Sequence, residues 1–275
     1  MEKPIVVGAV IYDPKVTVIW KIIGDFFASK KCPIELVYYS TYELQVEGLA
    51  KGHLDVAWNS PLAWIDAQRR LGGKCRAIAM RDTDRDRVSH FVARTKGGPA
   101  ALEELRGKTV AFGAKDSPQA TLIPIEQLRR AGLEAGKHYE VRRFDVKVGL
   151  HGDHVGGEKD ALACMMRGDA AASVMLDLNW DAWMKDGTIN GSEYRVIGST
   201  GRFDHCNFTV REDFAADRQK HFEEALFSMT YSDPAHREMM DLEGLKKWEP
   251  GRTHGYELLS AACEHQRYFA GAGAS

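Results

Sequence analysis

Residues 49–64, LAKGHLDVAWNSPLAW, limit the possible folds of this chain more than any other segment. A short amphipathic helix ends at Gly52, and His53 and Leu54 lead into a strand over 55–58. The strand runs straight into the polar turn Asn59-Ser60-Pro61, after which a new helix carries Trp64. A strand that ends in a small polar turn and opens a helix presents free backbone N–H groups and a positive dipole end above the sheet edge. Doubly wound α/β domains bind their ligands at that edge. Trp58 and Trp64 bracket the turn and suit a pocket wall, although the same pattern also suits a buried strand and capped helix with both indoles in the core.

The layout recurs. Residues 105–108 precede a strand over 109–113, the polar turn 114–119 and a helix over 120–131. Further on, a helix over 159–167 ends at Gly168 and is followed by a strand over 171–175 and the turn Leu176-Asp177-Leu178-Asn179. Three strand–turn–helix junctions at intervals of roughly 60 residues are too far apart for a solenoid repeat. They predict two α/β lobes that offer their strand ends to a common cleft. The ligand-binding candidates on it are Tyr12, Trp58, Asn59, Ser60, Trp64, Ser117, Gln119 and Asp177, with Glu158 beside them.

With these segments the chain resembles the type II periplasmic-binding-protein superfamily, and within it the phosphate/phosphonate branch of ABC-transporter substrate-binding proteins. The resemblance is carried by LAKGHLDVAWNSPLAW, LRGKTVAFGAKDSPQATLIP and EKDALACMMRGDAAASVM, and covers residues 5–201. It implies two Rossmann-like lobes with a ligand cleft between them, small-molecule binding by lobe closure, and an ABC permease as partner if the chain is exported. In such relatives the turn aligned with 116–119 is rich in serine and threonine and holds phosphonate oxygens at a helix N-terminus. Here Ser117 and Gln119 can donate, but Pro118 has no N–H. Where the family tends to place a histidine this chain has Glu158, and a carboxylate facing a phosphonate repels it. Glu158 also reads as a plain acid at a helix start. Aromatic walls with a carboxylate are a way of holding amine cations, so the expected ligand is polar and aromatic or amine-bearing rather than phosphate.

A coarse pass predicts lobe one from residues 1–92 and 203–275 and lobe two from 93–202. The first crossing falls near 81–87 and the return near 198–203. The helix after Pro14 carries a core-facing stripe of Val18, Ile19, Ile22, Ile23, Phe26 and Phe27. Helices over 217–231, 234–242 and 256–269 are expected to finish lobe one.

Composition narrows the function classes. At 275 residues the chain can bury a substantial core, and a formal net charge of -2 argues against a nucleic-acid partner. No apolar run approaches the ~20 residues of a membrane span. No charged, apolar and small-residue leader precedes the first strand, and five cysteines without a CxxC pair suit a reducing compartment. The expectation is cytoplasmic, or periplasmic if a leader has been removed. No cofactor is expected.

Two clusters carry chemistry that a scaffold does not need. The loop KVGLHGDHVGGE, residues 147–158, places His151, Asp153, His154 and Glu158 among four glycines, a set able to transfer protons or contact a ligand. One loop seldom closes a metal site alone and no HExxH pairing is present, so no metal is expected. Asp204-His205-Cys206-Asn207 follows the return crossing, where Cys206 beside a histidine is a nucleophile candidate. The alternative to a binder is therefore a cytosolic enzyme of lyase, decarboxylase or dehydratase type, with His154, Glu158 and His205 as its catalytic acid–base residues. A cytosolic sensor ranks last, because no helix-turn-helix or kinase segment is attached.

Overall fold

The structure, a computed structural model, describes residues 3–153 and 155–270. The chain opens with β1 (Ile5–Val10), α1 (Lys15–Ser29), β2 (Ile34–Tyr39), α2 (Tyr42–Ala50), β3 (Val56–Asn59), α3 (Pro61–Arg70) and β4 (Cys75–Arg81). It continues through β5 (Ser89–Arg94), β6 (Thr109–Phe112), a wide π-type turn (Pro118–Leu122), α4 (Ile123–Arg130), β7 (Glu140–Arg143) and α5 (Gly156–Arg167). Then come β8 (Ala172–Leu176), α6 (Asp177–Lys185), β9 (Tyr194–Ser199), β10 (Asn207–Arg211) and α7 (Ala216–Phe227). The last elements are α8 (Pro234–Leu242), β11 (Trp248–Pro250) and α9 (Glu257–His265).

These elements form two α/β units, residues 1–85 with 204–255, and residues 86–203 with 256–275. The first unit holds a six-stranded sheet in the order β11-β4-β10-β3-β1-β2. β1 runs parallel to β2 and β3, while β10 lies antiparallel between β3 and β4. Phe208 of β10 is the hub of its core, with ring centroids of Trp58 at 4.7 Å, Phe222 at 5.3 Å, Trp248 at 5.5 Å and Trp20 at 6.0 Å. α1 buries Val16, Ile19, Trp20, Ile23, Phe26 and Phe27. This stripe is turned from the expected one: Val18 is 50% exposed, because the large Trp20 indole claims the core-facing position.

The second unit holds a five-stranded sheet in the order β7-β6-β8-β5-β9. β6 pairs in parallel with β7 and β8, and β5 is antiparallel to both β8 and β9. Alternation along the strands fills both faces, with Phe91, Val110, Phe112 and Val174 in one core cluster and Val92, Leu162, Met175 and Trp183 in another. Gly168 ends α5 at φ +87°, where the Asp169 N–H reaches back to the Cys164 carbonyl, a left-handed cap that suits glycine.

The unit boundaries differ from those drawn on the sequence at two places. β5 joins the second sheet through both its neighbours, although residues 89–92 were placed in lobe one. α9 also belongs to the second unit, where it packs on α4 and Gln266 Nε2 donates to the Leu122 carbonyl at 2.8 Å. Neither pairing direction nor docking partner is visible in an amphipathic pattern. Two local expectations also change. The polar turn at 176–179 does not form, since α6 starts at Asp177 directly from β8, and α7 ends at Phe227 rather than running to 231.

Candidate functional site

In the first unit the carboxyl ends of β1, β3 and β4 share an edge with the amino end of the antiparallel β10. Ser60 caps α3 by accepting the Ala63 N–H at 3.1 Å, and Pro61 occupies the first helical turn, where its missing N–H costs nothing. Asn59 is fully buried: its Oδ1 accepts from Gln45 Nε2 at 2.9 Å and its Nδ2 donates to Thr209 Oγ1 at 3.0 Å. Its amide therefore braces the sheet. Trp58 belongs to the core of this unit, and Trp64 is buried in the folded chain. The strand–turn–helix pattern is present, with Trp58 packed against Phe208 and Trp248. Tyr12 is half-buried against the same core.

Beside Trp58 lies a charged group that the sequence reading passed over. Arg81 Nε and Nη2 each donate to Asp84 at 2.7 Å, and Nη1 donates to Glu243 at 2.9 Å. The guanidinium sits 5.3 Å from the Trp58 ring centroid. Burial would raise the Asp84 carboxyl, but the Arg81 charge and hydrogen bonds, helped by His205, hold it well below the usual carboxylate range. Burial raises the Glu243 carboxyl, and Arg81 only partly offsets it.

His205 Nδ1 lies 3.1 Å from Cys206 Sγ and 3.6 Å from Asp84 Oδ1. Asp84, His205 and Cys206 are the group among the described residues that comes nearest to a metal ligand set. Arg81 already occupies both oxygens of that carboxylate and puts a positive charge where a cation would sit, so the group does not fit a metal ion.

In the second unit the Ser117 turn follows β6 as expected. Ser117 Oγ accepts the Ala120 N–H at 3.1 Å, which leaves it serving its own helix turn. The carboxylate of Asp116, fully buried, accepts the N–H groups of Gly149 at 2.6 Å and His151 at 3.1 Å. These bonds draw the glycine-rich loop onto the turn. Gln119 Nε2 donates to the Gly152 carbonyl at 3.0 Å, and a Cβ on Gly152 would stand 2.3 Å from Ser117 Oγ, so only glycine fits there. The crevice among Gly113, Ser117, Ala120, Gly152, Gly157 and Glu158 is too tight to admit a water molecule. Glu158 is buried and ties α5 to the start of α6, its Oε2 accepting the Leu176 N–H at 3.1 Å and Asn179 Nδ2 at 2.7 Å.

Of the acid–base candidates, His154 lies outside the described residues. Glu158 and His205 belong to different units, and each is engaged as described. Of the ligand candidates, the second unit holds Ser117 and Gln119 on one turn and brings Glu158 of α5 to the crevice that Ser117 lines. Asp177 stands at the end of β8, 3.4 Å from Arg87 Nη1. Near it the structure adds residues not singled out from the sequence. His90 Nδ1 lies 2.8 Å from Ser199 Oγ, and its ring stands edge-on to Trp180 with centroids 6.3 Å apart. Burial lowers the His90 pKa, against the opposing pull of Asp177 and Asp181. The antiparallel course of β5 puts its first residues at the same edge as the last residues of β8 and β9. A histidine at the head of a strand was the signal, and the strand direction was needed to use it.

A family model described as the ABC-transporter phosphonate periplasmic substrate-binding protein matches residues 15–256. Among solved structures, PhnD1 of Prochlorococcus marinus in complex with methylphosphonate is similar at a TM-score of 0.72 and 18% identity, over 96% of this chain and 98% of that one. A Xanthomonas citri protein bound to ATP is similar at 0.75 and 17%, over 97% and 99%. The aliphatic sulphonate binding protein of Escherichia coli follows at 0.60 and 13%, over 98% and 87%. At these identities the likeness is one of fold. An uncharacterized protein of Haemophilus influenzae is 67% identical over 27 residues, 10% of this chain, and the chain matches 38% of its length.

Proposed function

The chain belongs to the family of periplasmic substrate-binding proteins of phosphonate ABC transporters, and from that premise we propose that it binds a small polar ligand, neutral or cationic, for delivery to an ABC permease. The reading rests on one observation. The turn that would cradle a multiply charged anion carries one buried carboxylate, Asp116, and shares its crevice with a second, Glu158 of α5, while its Ser117 hydroxyl already caps its own helix turn. Bringing a phosphonate dianion against them would set like charges together in a poorly solvated place. The flat ring of Trp180 offers an amine or an aromatic ring a suitable edge, one turn along α6 from Asp177, whose carboxylate also faces Arg87 at 3.4 Å. Similar structures hold methylphosphonate in one case and ATP in another, so this fold accepts ligands of different chemistry.

The family supports binding over the enzyme alternative, and Glu158 and His205 sit in hydrogen-bonded frameworks of their own units. The expected cytoplasmic location lacks support as well, because the family is described as periplasmic. Among the described residues no helix is long and apolar enough to cross a membrane.

Calorimetric titration with phosphate and methylphosphonate is the test, joined to mass spectrometry of whatever small molecule co-purifies from the native host. Weak or absent heats with both anions and a neutral or cationic co-purifying molecule are expected. Sub-micromolar methylphosphonate binding would overturn the ligand reading, and release of the co-purified molecule in chemically altered form would overturn the binding-protein reading.

A further inference from the structure

An open cavity in the first unit lies away from the strand carboxyl ends. It measures about 220 Å³ and is walled by Ile22, Phe26 and Ser29 of α1, Met229 after α7, and His236 and Met239 of α8. α1 starts at the carboxyl end of β1 and runs back, so its last two turns stand at the opposite sheet edge, where β2 begins. The cavity is separate from the groups described above. Phe26, Met229 and Met239 are buried and form its floor, while Ser29 and Ala235 are exposed and form its rim.

We propose that this cavity is a second binding site, for a neutral aromatic molecule of one or two fused rings that carries a hydrogen-bond donor, of which indole is the model. Size comes first. An apolar cavity of about 150 Å³ in another protein takes up benzene, so 220 Å³ accommodates one or two fused rings. The walls come second. The rings of Phe26 and His236 meet edge to face at a centroid distance of 4.8 Å, which leaves an aromatic corner for a third ring. The sulfurs of Met229 and Met239 suit contact with a ring edge. Met229 is fixed in place, since Trp248 Nε1 donates to its sulfur at 3.4 Å.

Polarity comes third. His236 Nδ1 accepts the Thr230 N–H at 3.1 Å and its Nε2 lies 3.6 Å from Asp233, so the imidazole offers the cavity its ring rather than a free nitrogen. Ser29 Oγ donates its proton to the Phe26 carbonyl at 2.6 Å, and the same oxygen can accept from a ligand N–H or O–H. A ligand with one donor at its edge satisfies that oxygen, and an anionic or strongly polar one finds no partner on the floor.

The test uses the full chain and indole as the probe, followed by ligand-observed NMR and by calorimetry. Binding in the micromolar to millimolar range is expected for wild type. Ala235→Leu places a larger side chain at the rim and should weaken indole at least tenfold with an unchanged unfolding temperature in the absence of indole. Ser29→Ala should weaken indole about fivefold, the worth of one ordinary hydrogen bond, and leave 1-methylindole, which lacks the donor, unaffected. No indole binding by wild type up to its solubility limit would overturn the proposal. So would equal affinity in wild type and a folded Ala235→Leu variant, which would put the probe elsewhere. The phosphonate titration has no bearing on either outcome, so the two readings fail separately.

Discussion

Replacing Phe208 with alanine is expected to destabilise the protein by about 4 kcal/mol, the largest loss from any single truncation of an uncharged side chain in the first unit. Phe208 is 1% exposed and touches the rings of Trp20, Trp58, Phe222 and Trp248. Four bulky rings from separate elements cannot all collapse into the space a phenyl group leaves, so the cavity term stays near its full value. Equilibrium denaturation in urea, read by tryptophan fluorescence, checks it. A loss under about 1 kcal/mol would show that the aromatic cluster relaxes and that Phe208 is not its hub.

Arg81→Met should cost about as much, on the order of 3–5 kcal/mol near neutrality, for a different reason. The methionine keeps much of the contact with Trp58 but leaves Asp84 and Glu243 in a buried site without their cation. The pH response separates this from lost packing. In wild type the Asp84 carboxyl is held low by Arg81, so its contribution is present above the unfolded carboxylate value and is lost only as pH falls through the folded value, far into acid. Glu243 is raised in the folded state, so its ionised form opposes folding above that raised value. Without Arg81 both carboxyls take up protons earlier on acidification. The stability gap between wild type and Arg81→Met should therefore narrow between pH 7 and pH 4.5. A gap that holds constant over that window would assign the loss to packing alone.

How much could be read from the residues depended on whether the information was local. Gly52, Ser60-Pro61, Ser117-Pro118 and Gly168 mark element ends through backbone chemistry that acts within a turn, and the structure has its boundaries there. The motifs of residues 49–64 and 105–124 led to the right family for the same reason. Partnership across the chain was another matter. Nothing within residues 89–94 says that the strand runs antiparallel to β8 and β9, and so His90 and Ser199 were not seen as neighbours. The α9 helix has an apolar face that would suit either unit, and its docking on α4 is settled by tertiary packing. The indoles of Trp58 and Trp64 suited either a pocket wall or the core, because strand-end aromatics can point either way, and in the folded chain both are buried. Arg81 entered the sequence reading only as the start of the first crossing, since charge patterning does not show that Asp84 and Glu243 are buried around it.

The position of β10 has a consequence for how such a chain is made. Residues 207–211 fill the middle of the first sheet, between β3 and β4, and α9 completes the second unit from residues 257–265. A ribosome that has delivered the first two hundred residues has therefore delivered two unfinished halves, each missing an internal piece. Pairing at such sequence separation is slow, because the loop must close before the contacts reward it. Neither half can settle into its native form until the final fifth or so of the polypeptide has been released for the first and almost all of it for the second. Native pairing of both sheets and their helices therefore waits on late-made segments, so most of the chain must exist before either unit is complete.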